Sequence, residues 1–364
     1  MPLSCGLVGL PNAGKSTLFR AITASHAEIA AYPFTTIAPN VGIVRIPDPR
    51  LDVIAAITRP QRLVPATLEL VDIAGLVRNA HQGEGLGNQF LARIREVDAL
   101  LHVVRCFPGD LPHVEGTVDP ERDMEIVETE LLLADLAAVQ RARAQIAPHA
   151  RAGEHGAREQ DAVLARLEAH VAAGRPARTL TADPGREPTF AAAQSALLTS
   201  RPVLYIANVG EDEAGNGAGL DAVARHASSH GAGVLGLCAK LELELADLTP
   251  EEATQYLAAF GVSERGLPRL VRSCQSLLGL RTFFSVASGE VRAWPVPAGT
   301  RAPQAAGRIH SDMEHGFIRA EVITFAHLTM YGSIAAARER GALRLEGKGY
   351  EVQDGDIITF RFAP

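Results

Sequence analysis

Lys15 and Ser16 are the residues best placed to do chemistry. They close Gly9-Leu10-Pro11-Asn12-Ala13-Gly14-Lys15-Ser16, a G-x-x-x-x-G-K-[ST] stretch preceded by the apolar run Cys5 to Val8 and followed by Thr17-Leu18-Phe19-Arg20-Ala21-Ile22. A buried strand before the glycines and a helix start after them is the context in which this pattern cradles phosphates. The glycines let backbone N–H groups turn inward with no Cβ in the way, and the helix N-terminus adds a positive dipole end. Asn12, Ala13, Gly14, Lys15, Ser16 and Thr17 are therefore expected to wrap a nucleotide's phosphates. Lys15 would reach the β and γ phosphates as a catalytic charge, and Ser16 would place its hydroxyl on Mg²⁺. The chain has only three lysines, Lys15, Lys240 and Lys348, so Lys15 reads as a position where a compact ammonium is needed and a guanidinium does not serve.

Three further groups fit the same chemistry. Thr35 and Thr36 follow Tyr32-Pro33-Phe34 in the loop before the strand Val41 to Ile46. Nucleotide switches keep a second metal-binding hydroxyl there, and Thr36 is the choice of the two. Ala66 to Gly75 reads as a strand ending in Asp72-Ile73-Ala74-Gly75, a D-x-x-G: the Asp72 carboxylate can hold Mg²⁺ through water and the Gly75 N–H can meet the γ phosphate. The residue after Gly75 is Leu76, which cannot orient a water as the glutamine of Ras-like proteins does. Hydrolysis must then use another group or be slow until a partner arrives. A loop histidine, His113 in Leu111-Pro112-His113-Val114, is a candidate, although by spacing alone a loop histidine is more often solvated than catalytic.

The base side of the site would lie at two later strand ends, Asn208-Val209-Gly210-Glu211 after Pro202 to Ala207 and Cys238-Ala239-Lys240 after Gly233 to Leu237. GTPases carry N-K-x-D and S-A-K at these places. The short aspartate of N-K-x-D accepts from two N–H donors of guanine, whereas adenine turns a ring acceptor toward it. Here Val209 replaces the lysine and the longer Glu211 replaces the aspartate, so the guanine fork is altered and adenine becomes admissible. Asn208 remains to contact either purine.

These pieces need an α/β fold with a parallel sheet, and the totals agree. With 364 residues, 47% hydrophobic and 21% charged, the chain reads as a globular protein of two or three domains. A formal charge of -7 excludes polyanion binding by bulk charge, so any RNA contact must be through local patches. Cys5, Cys106, Cys238 and Cys274 form no C-x-x-C pair and suit a reducing compartment. No signal peptide is visible and no apolar stretch reaches the ~18 to 20 residues of a membrane span. A cytoplasmic location without membrane contact is expected.

The expected organisation is a nucleotide-binding domain in two parts, 1–119 and 200–280, with a helical arm inserted at 120–199 and a third unit at 281–364. In the arm, apolar residues at helical spacing run from Asp123 past Val139 and Ile146. A polar break follows from Pro148 to Gly156, then a second helix from Gln160 to Ala173, giving an antiparallel hairpin exposed on several faces. Further helices are expected at Pro250 to Gly261 and Leu267 to Leu280. The last unit reads as short strands, Phe283 to Val286, Val291 to Val296, Phe317 to Val322 and Ile357 to Phe362, with a helix from Ser333 to Gly341.

Taken in order, Gly9 to Thr17, Tyr32 to Thr36, Asp72 to Leu76, Gly83-Glu84-Gly85-Leu86-Gly87-Asn88-Gln89-Phe90, Asn208 to Glu211, Gly307 to His310, Gly316 to Glu321 and Leu343 to Lys348 make the chain resemble the YchF family of Obg-like ATPases. This is a branch of the translation-factor class of P-loop GTPases, and the resemblance covers essentially the whole length. It implies a Ras-like G domain, an inserted coiled-coil-like arm and a C-terminal β-grasp-like TGS domain. It implies ATP in preference to GTP, Mg²⁺, slow hydrolysis and association with ribosomes. Leu76 matches the family's hydrophobic residue at the glutamine position, and His113 matches its proposed alternative catalytic histidine. Cys238 departs from the serine of many relatives, altering one side-chain contact near the base. A GTPase of the same fold and a non-hydrolysing ribosome- or RNA-binding scaffold are the alternatives.

Overall fold

The structure, a computed structural model, describes residues 3–24, 40–73, 86–109, 111–213, 218–287 and 289–363. Thr36 and Gly75 lie outside the described residues, as do Tyr32 to Thr35, Leu76 and Gly83 to Gly85. The elements before the arm are β1 (Ser4–Val8), α1 (Lys15–Ala24), β2 (Val41–Arg45), α2 (Pro49–Thr58), β3 (Arg62–Val64), β4 (Thr67–Asp72), α3 (Leu86–Glu96) and β5 (Ala99–Arg105). The arm contains α4 (Pro120–Ala152), α5 (Ala157–Ala172) and α6 (Glu187–Ser195). The sheet resumes with β6 (Val203–Asn208), α7 (Ala218–Ser229) and β7 (Gly233–Leu237), then α8 (Ala239–Glu244), α9 (Pro250–Ala259) and α10 (Gly266–Leu277). Two compact units result, one of residues 1–44 and 69–277, the other of residues 45–68 and 278–364.

The first unit is built on a six-stranded sheet in the order β2-β4-β1-β5-β6-β7. β1 pairs in parallel with β4 and β5, β5 with β6 and β6 with β7. β5 and β6 are buried at every position, as strands covered by helices on both faces must be. β1 has β4 on one side and β5 on the other, and the crevice beyond the carboxyl ends of such strands is where an open α/β sheet binds ligands.

In the arm, Asp119 caps α4 by accepting from Arg122 N–H, with Pro120 at the first helical position. Such a cap satisfies an otherwise orphaned donor. The helix does not break at Pro148 as the sequence reading expected: it continues to Ala152 and ends at Gly153, whose φ of 81° closes it in left-handed geometry. Proline removes one hydrogen bond near the end of a long helix, whereas the helix stops where glycine supplies the cap. The arm is also less exposed than expected. Met124, Val127 and Leu131 join the core of the sheet, and Val139 packs with Val163, Leu167 and Phe190 of α5 and α6. Buried Asp135 accepts from the N–H groups of Leu198 and Thr199 at 2.7 and 2.8 Å, fixing the returning chain to α4.

The second unit adds β8 (Leu280–Ala287), β9 (Glu290–Pro297), α11 (Ala302–Ile309), α12 (Ser311–His315), β10 (Phe317–Thr324), α13 (Phe325–Tyr331), α14 (Ile334–Glu339), β11 (Arg344–Glu346) and β12 (Asp356–Phe362). The sheet order is β11-β10-β12-β8-β9-β3. The β8–β9 hairpin is antiparallel and β12 returns parallel to β8, the arrangement of a β-grasp fold. Ala302, Ala305 and Ala306 of α11 are fully buried in its core with Phe283 and Phe317. Residues 45–68 correct the sequence reading, which gave them to the nucleotide-binding domain. β3 pairs in parallel with β9, completing that edge, and Gln61 N–H donates to Gly289 O at 2.7 Å. Arg50 spans Asp48 and Asp354, at 2.7 and 2.6 Å. Strand addition to a free sheet edge satisfies backbone groups whatever the side chains are, so three residues of β3 carry no recognisable pattern.

Candidate functional site

Two glycines show why the loop after β1 has its sequence. Gly9 has φ 145°, and a Cβ there would lie 2.3 Å from Val103 O of β5; Gly14 has φ 96°, and a Cβ there would lie 2.0 Å from Asn208 Nδ2. The loop is thus pressed onto β5 on one side and onto the end of β6 on the other. Asn12, at φ 61°, also turns in the left-handed region, which asparagine tolerates better than most residues.

The loop opens on a cleft of about 600 Å³. Asn12, Gly14, Lys15, Ser16 and Thr17 form its phosphate end, and Asn208, Val209, Glu211, Cys238 and Ala239 line the opposite part. The sequence-derived residues of both motifs therefore meet in one place. Lys15 is buried, with Nζ donating to the carbonyls of Gly9 and Leu10 at 3.0 and 2.8 Å. Burial lowers its pKa to about 8, against the opposing pull of the Asp72 charge. Ser16 Oγ lies 3.4 Å from Asp72 Oδ2, a hydroxyl and a carboxylate on one spot. Burial raises the Asp72 pKa, while Lys15 and Ser16 hold it back. Two hard oxygen donors beside an ammonium suit Mg²⁺ with a polyphosphate.

At the other end Asn208 is a strut. Its Nδ2 donates to Ala13 O at 2.9 Å and its Oδ1 accepts from Ala239 N–H at 3.0 Å, so one buried side chain joins the phosphate loop to the β7–α8 turn. The Ala239 N–H is thereby occupied within the protein. One amide hydrogen of Asn208 remains for a ligand. Val209 and Cys238 are buried, and Glu211 is paired with Lys240 at 3.0 Å.

His113 is not among the residues lining this cleft. Its Nε2 faces Asp123 Oδ2 at 2.7 Å and its Nδ1 accepts from Glu115 N–H at 3.1 Å, so both ring nitrogens are engaged. Since Nδ1 accepts, Nε2 carries the hydrogen and donates to Asp123. Pro112, beside it, accepts from Asn12 Nδ2 at 3.0 Å, which joins the histidine's loop to the phosphate loop.

Sequence reasoning missed Phe107, Pro108 and Leu111, which also line the cleft. Arg105 holds them. It is 1% exposed at the end of β5 and donates to the carbonyls of Phe107, Gly109 and Leu111, with its guanidinium 4.7 Å from the Phe107 ring centroid. A lone arginine ending an otherwise apolar strand was the available signal.

Comparison with known proteins fits this geometry. The family profile "50S ribosome-binding GTPase" matches residues 4–139, and the YchF C-terminal profile, described as "Protein of unknown function (DUF933)", matches residues 280–363. The chain is 46% identical over 366 residues to "Ribosome-binding ATPase YchF" of Bacillus subtilis (strain 168), covering 100% of both. It is 47% identical over 363 residues to the protein of the same name from Escherichia coli O157:H7, covering 100% of this chain and 99% of that one. The chain belongs to the YchF family. The solved structure titled "Structure of the Schizosaccharomyces pombe YchF GTPase" shares 33% identity and a TM-score of 0.87, covering 99% of this chain and 97% of that one. A GTP binding protein from Pyrococcus horikoshii OT3 has the same fold at 20% identity, with a TM-score of 0.60. YchF membership makes the cleft that of a P-loop nucleoside triphosphatase. Among the described residues no helix is long and apolar enough to cross a membrane.

Proposed function

We propose that the chain is a slow, Mg²⁺-dependent ATPase of the cytoplasm whose nucleotide state governs association with the ribosome. The observation that carries this reading is the composition of one cleft: Lys15 and Ser16 at its phosphate end, with Asp72 beside Ser16, and Val209 with a Lys240-paired Glu211 where a guanine fork would stand. Lys15 would bind the β and γ phosphates, supported by the N–H groups of Asn12 to Thr17 and of Gly75. Ser16, Thr36 and Asp72 would hold the metal, Asp72 through water. Bound there, Mg²⁺ neutralises negative charge on the phosphoryl oxygens. Asn208, Val209, Glu211, Cys238 and Ala239 frame the base, with ATP taken over GTP. The ribosome enters through the relatives, which are named ribosome-binding ATPases; RNA contacts would be local patches.

Among the described residues that line the cleft none replaces the water-orienting glutamine, so intrinsic turnover should be slow. His113 is the proposed activating group. To take a proton from water it must present a ring nitrogen without hydrogen, which means releasing the Glu115 N–H from Nδ1; its loop's attachment to Asn12 makes that release responsive to the phosphate loop. Hydrolysis of ATP by the purified protein, with and without ribosomes, tests both claims. Turnover well below ~1 s⁻¹ alone is expected, against the ~1 to 100 s⁻¹ of kinases. His113→Ala should cut it about 100-fold with ATP affinity unchanged. Unchanged turnover would leave His113 as a tie between its loop and α4. The second reading is a GTPase, which holds if Asn208, with its remaining amide hydrogen, and the backbone still suit guanine. No hydrolysis under any condition would leave a nucleotide-ordered scaffold.

A further inference from the structure

Away from the nucleotide cleft, three metal-ligating side chains converge: Glu128 of α4 with His226 of α7 and His230, the residue just past the end of α7. One ligand atom of each lies within 4.8 Å of the others, the one such group among the described residues. His230 N–H donates to Ala227 O at 3.1 Å, which keeps its side chain beside that of His226. Their rings stack at 4.4 Å with 22° between planes. His226 Nε2 is 3.1 Å from each oxygen of Glu128, and His230 Nε2 is 3.7 Å from Oε2.

The orientation of His230 decides what this cluster is built for. Its Nδ1 lies 3.0 Å from the backbone carbonyl oxygen of His226. Ser229 Oγ, also 3.0 Å from Nδ1, gives its own hydrogen to the same carbonyl at 2.7 Å, so both neighbours of Nδ1 act as acceptors: Nδ1 carries a hydrogen and Nε2 is the ring nitrogen turned toward Glu128. A carboxylate also only accepts. Two acceptors face each other and a cation satisfies both. The Nδ1–H bond to a backbone carbonyl is also the device that sets the tautomer of metal-bound histidines. From the far side the buried hydroxyl of Tyr205 on β6 donates to Glu128, fixing the carboxylate's aim. The side chains of His226, Glu128 and His230 are 7%, 15% and 24% exposed, enough shelter to hold an ion and enough opening to admit one.

We propose that Glu128, His226 and His230 form a binding site for a zinc-type divalent ion, which clamps the first helix of the arm to α7 and is separate from the Mg²⁺ position at Ser16. Two imidazoles and one carboxylate are a borderline donor set, suited to zinc and its first-row neighbours, with water in the open position. Mg²⁺ prefers oxygen donors and does not compete. The competing occupant is a proton shared between imidazole and Glu128, and the Co²⁺ titration below separates it from a metal ion.

The test uses untagged, full-length, nucleotide-free protein stripped with a chelator, titrated with Co²⁺ as a spectroscopic probe and with Zn²⁺. The proposal expects one Co²⁺ per chain with visible ligand-field absorption, unaffected by excess Mg²⁺ and lost on adding one equivalent of Zn²⁺. H230N changes the most exposed of the three ligands and is the variant gentlest to the fold. It should weaken Zn²⁺ binding by about tenfold or more, and H226N/H230N should abolish the absorption. Circular dichroism and ATP affinity unchanged from the parent show that the variants are folded. Zn²⁺ should also raise the unfolding temperature of the parent and not of H230N. Absence of the Co²⁺ absorption, or Zn²⁺ affinity unchanged in H230N, overturns the proposal.

Discussion

In the first unit, β5 and β6 are buried from end to end and the chemical groups stand at the strand ends, Lys15 and Asn208 within one cleft and Asp72 beside Ser16. In the second unit the ionic groups serve the fold. Arg50 is spent on Asp48 and Asp354, and Asp354 in turn accepts from Thr282 N–H at 2.8 Å. Towards the β11 edge of the second sheet Ile318 and Leu345 are more than half exposed, while Phe283 and Phe284, neighbours on opposite faces of β8, are both fully buried. The strands of a parallel sheet open their carboxyl ends on one crevice, whereas the strands of the second sheet run in both directions and share no such end. The charges of the cleft are thus proposed to serve a ligand, whereas Arg50, like the buried Asp135 and Arg105 of the first unit, holds the fold.

The largest effect should come from Lys15→Ala. Removing the one charge aimed at the phosphates should weaken ATP binding by about 2–5 kcal/mol, read by calorimetry, with the thermal stability of the nucleotide-free protein unchanged or raised. Burial of the ammonium, marked by its lowered pKa, opposes what its two carbonyl bonds return, so a loss of stability would break the contrast between Lys15 and Arg50. Arg50→Ala should do the opposite. It strands two carboxylates and should cost about 2 kcal/mol of stability, read by denaturant unfolding, with ATP affinity intact. Lost ATP affinity in that variant would show that its charge is not purely structural.

A smaller effect sharpens the picture of Lys15. The charged form binds phosphate, and burial has lowered its pKa to about 8. Affinity for ATP should therefore fall as pH rises through 8, by up to about tenfold per unit, where an ordinary lysine holds its charge to above pH 10. Calorimetric titrations across that range check it. A flat profile would mean that Lys15 regains water on leaving the carbonyls of Gly9 and Leu10.

Much of this was legible in the sequence because the phosphate loop is contiguous: its backbone geometry forces glycines at 9 and 14, and its chemistry forces Lys15 and Ser16, all within eight positions. Asp72 and Asn208 were legible because each ends a strand, and Ala239 because it follows β7 at the start of α8. The partners of the same residues were not. The tie of Asn208 to Ala13 joins residues 195 apart in the chain, and the engagement of His113 with Asp123 depends on where a loop meets the start of α4. The capture of residues 45–68 by the second unit rests on backbone pairing of three residues, which leaves no side-chain pattern. Pro148 misled because it lies near a helix end, where one missing bond is tolerated.

The most direct test of the account is titration of nucleotide-free protein with ATP and with GTP, each with Mg²⁺, by calorimetry. ATP binding at least tenfold tighter, ~1.4 kcal/mol, is the predicted result and would support both the altered fork at Val209 and Glu211 and the ATPase reading. Tighter binding of GTP would contradict it: the cleft would still select guanine through Asn208 and the backbone, and the protein would be a GTPase on the same architecture.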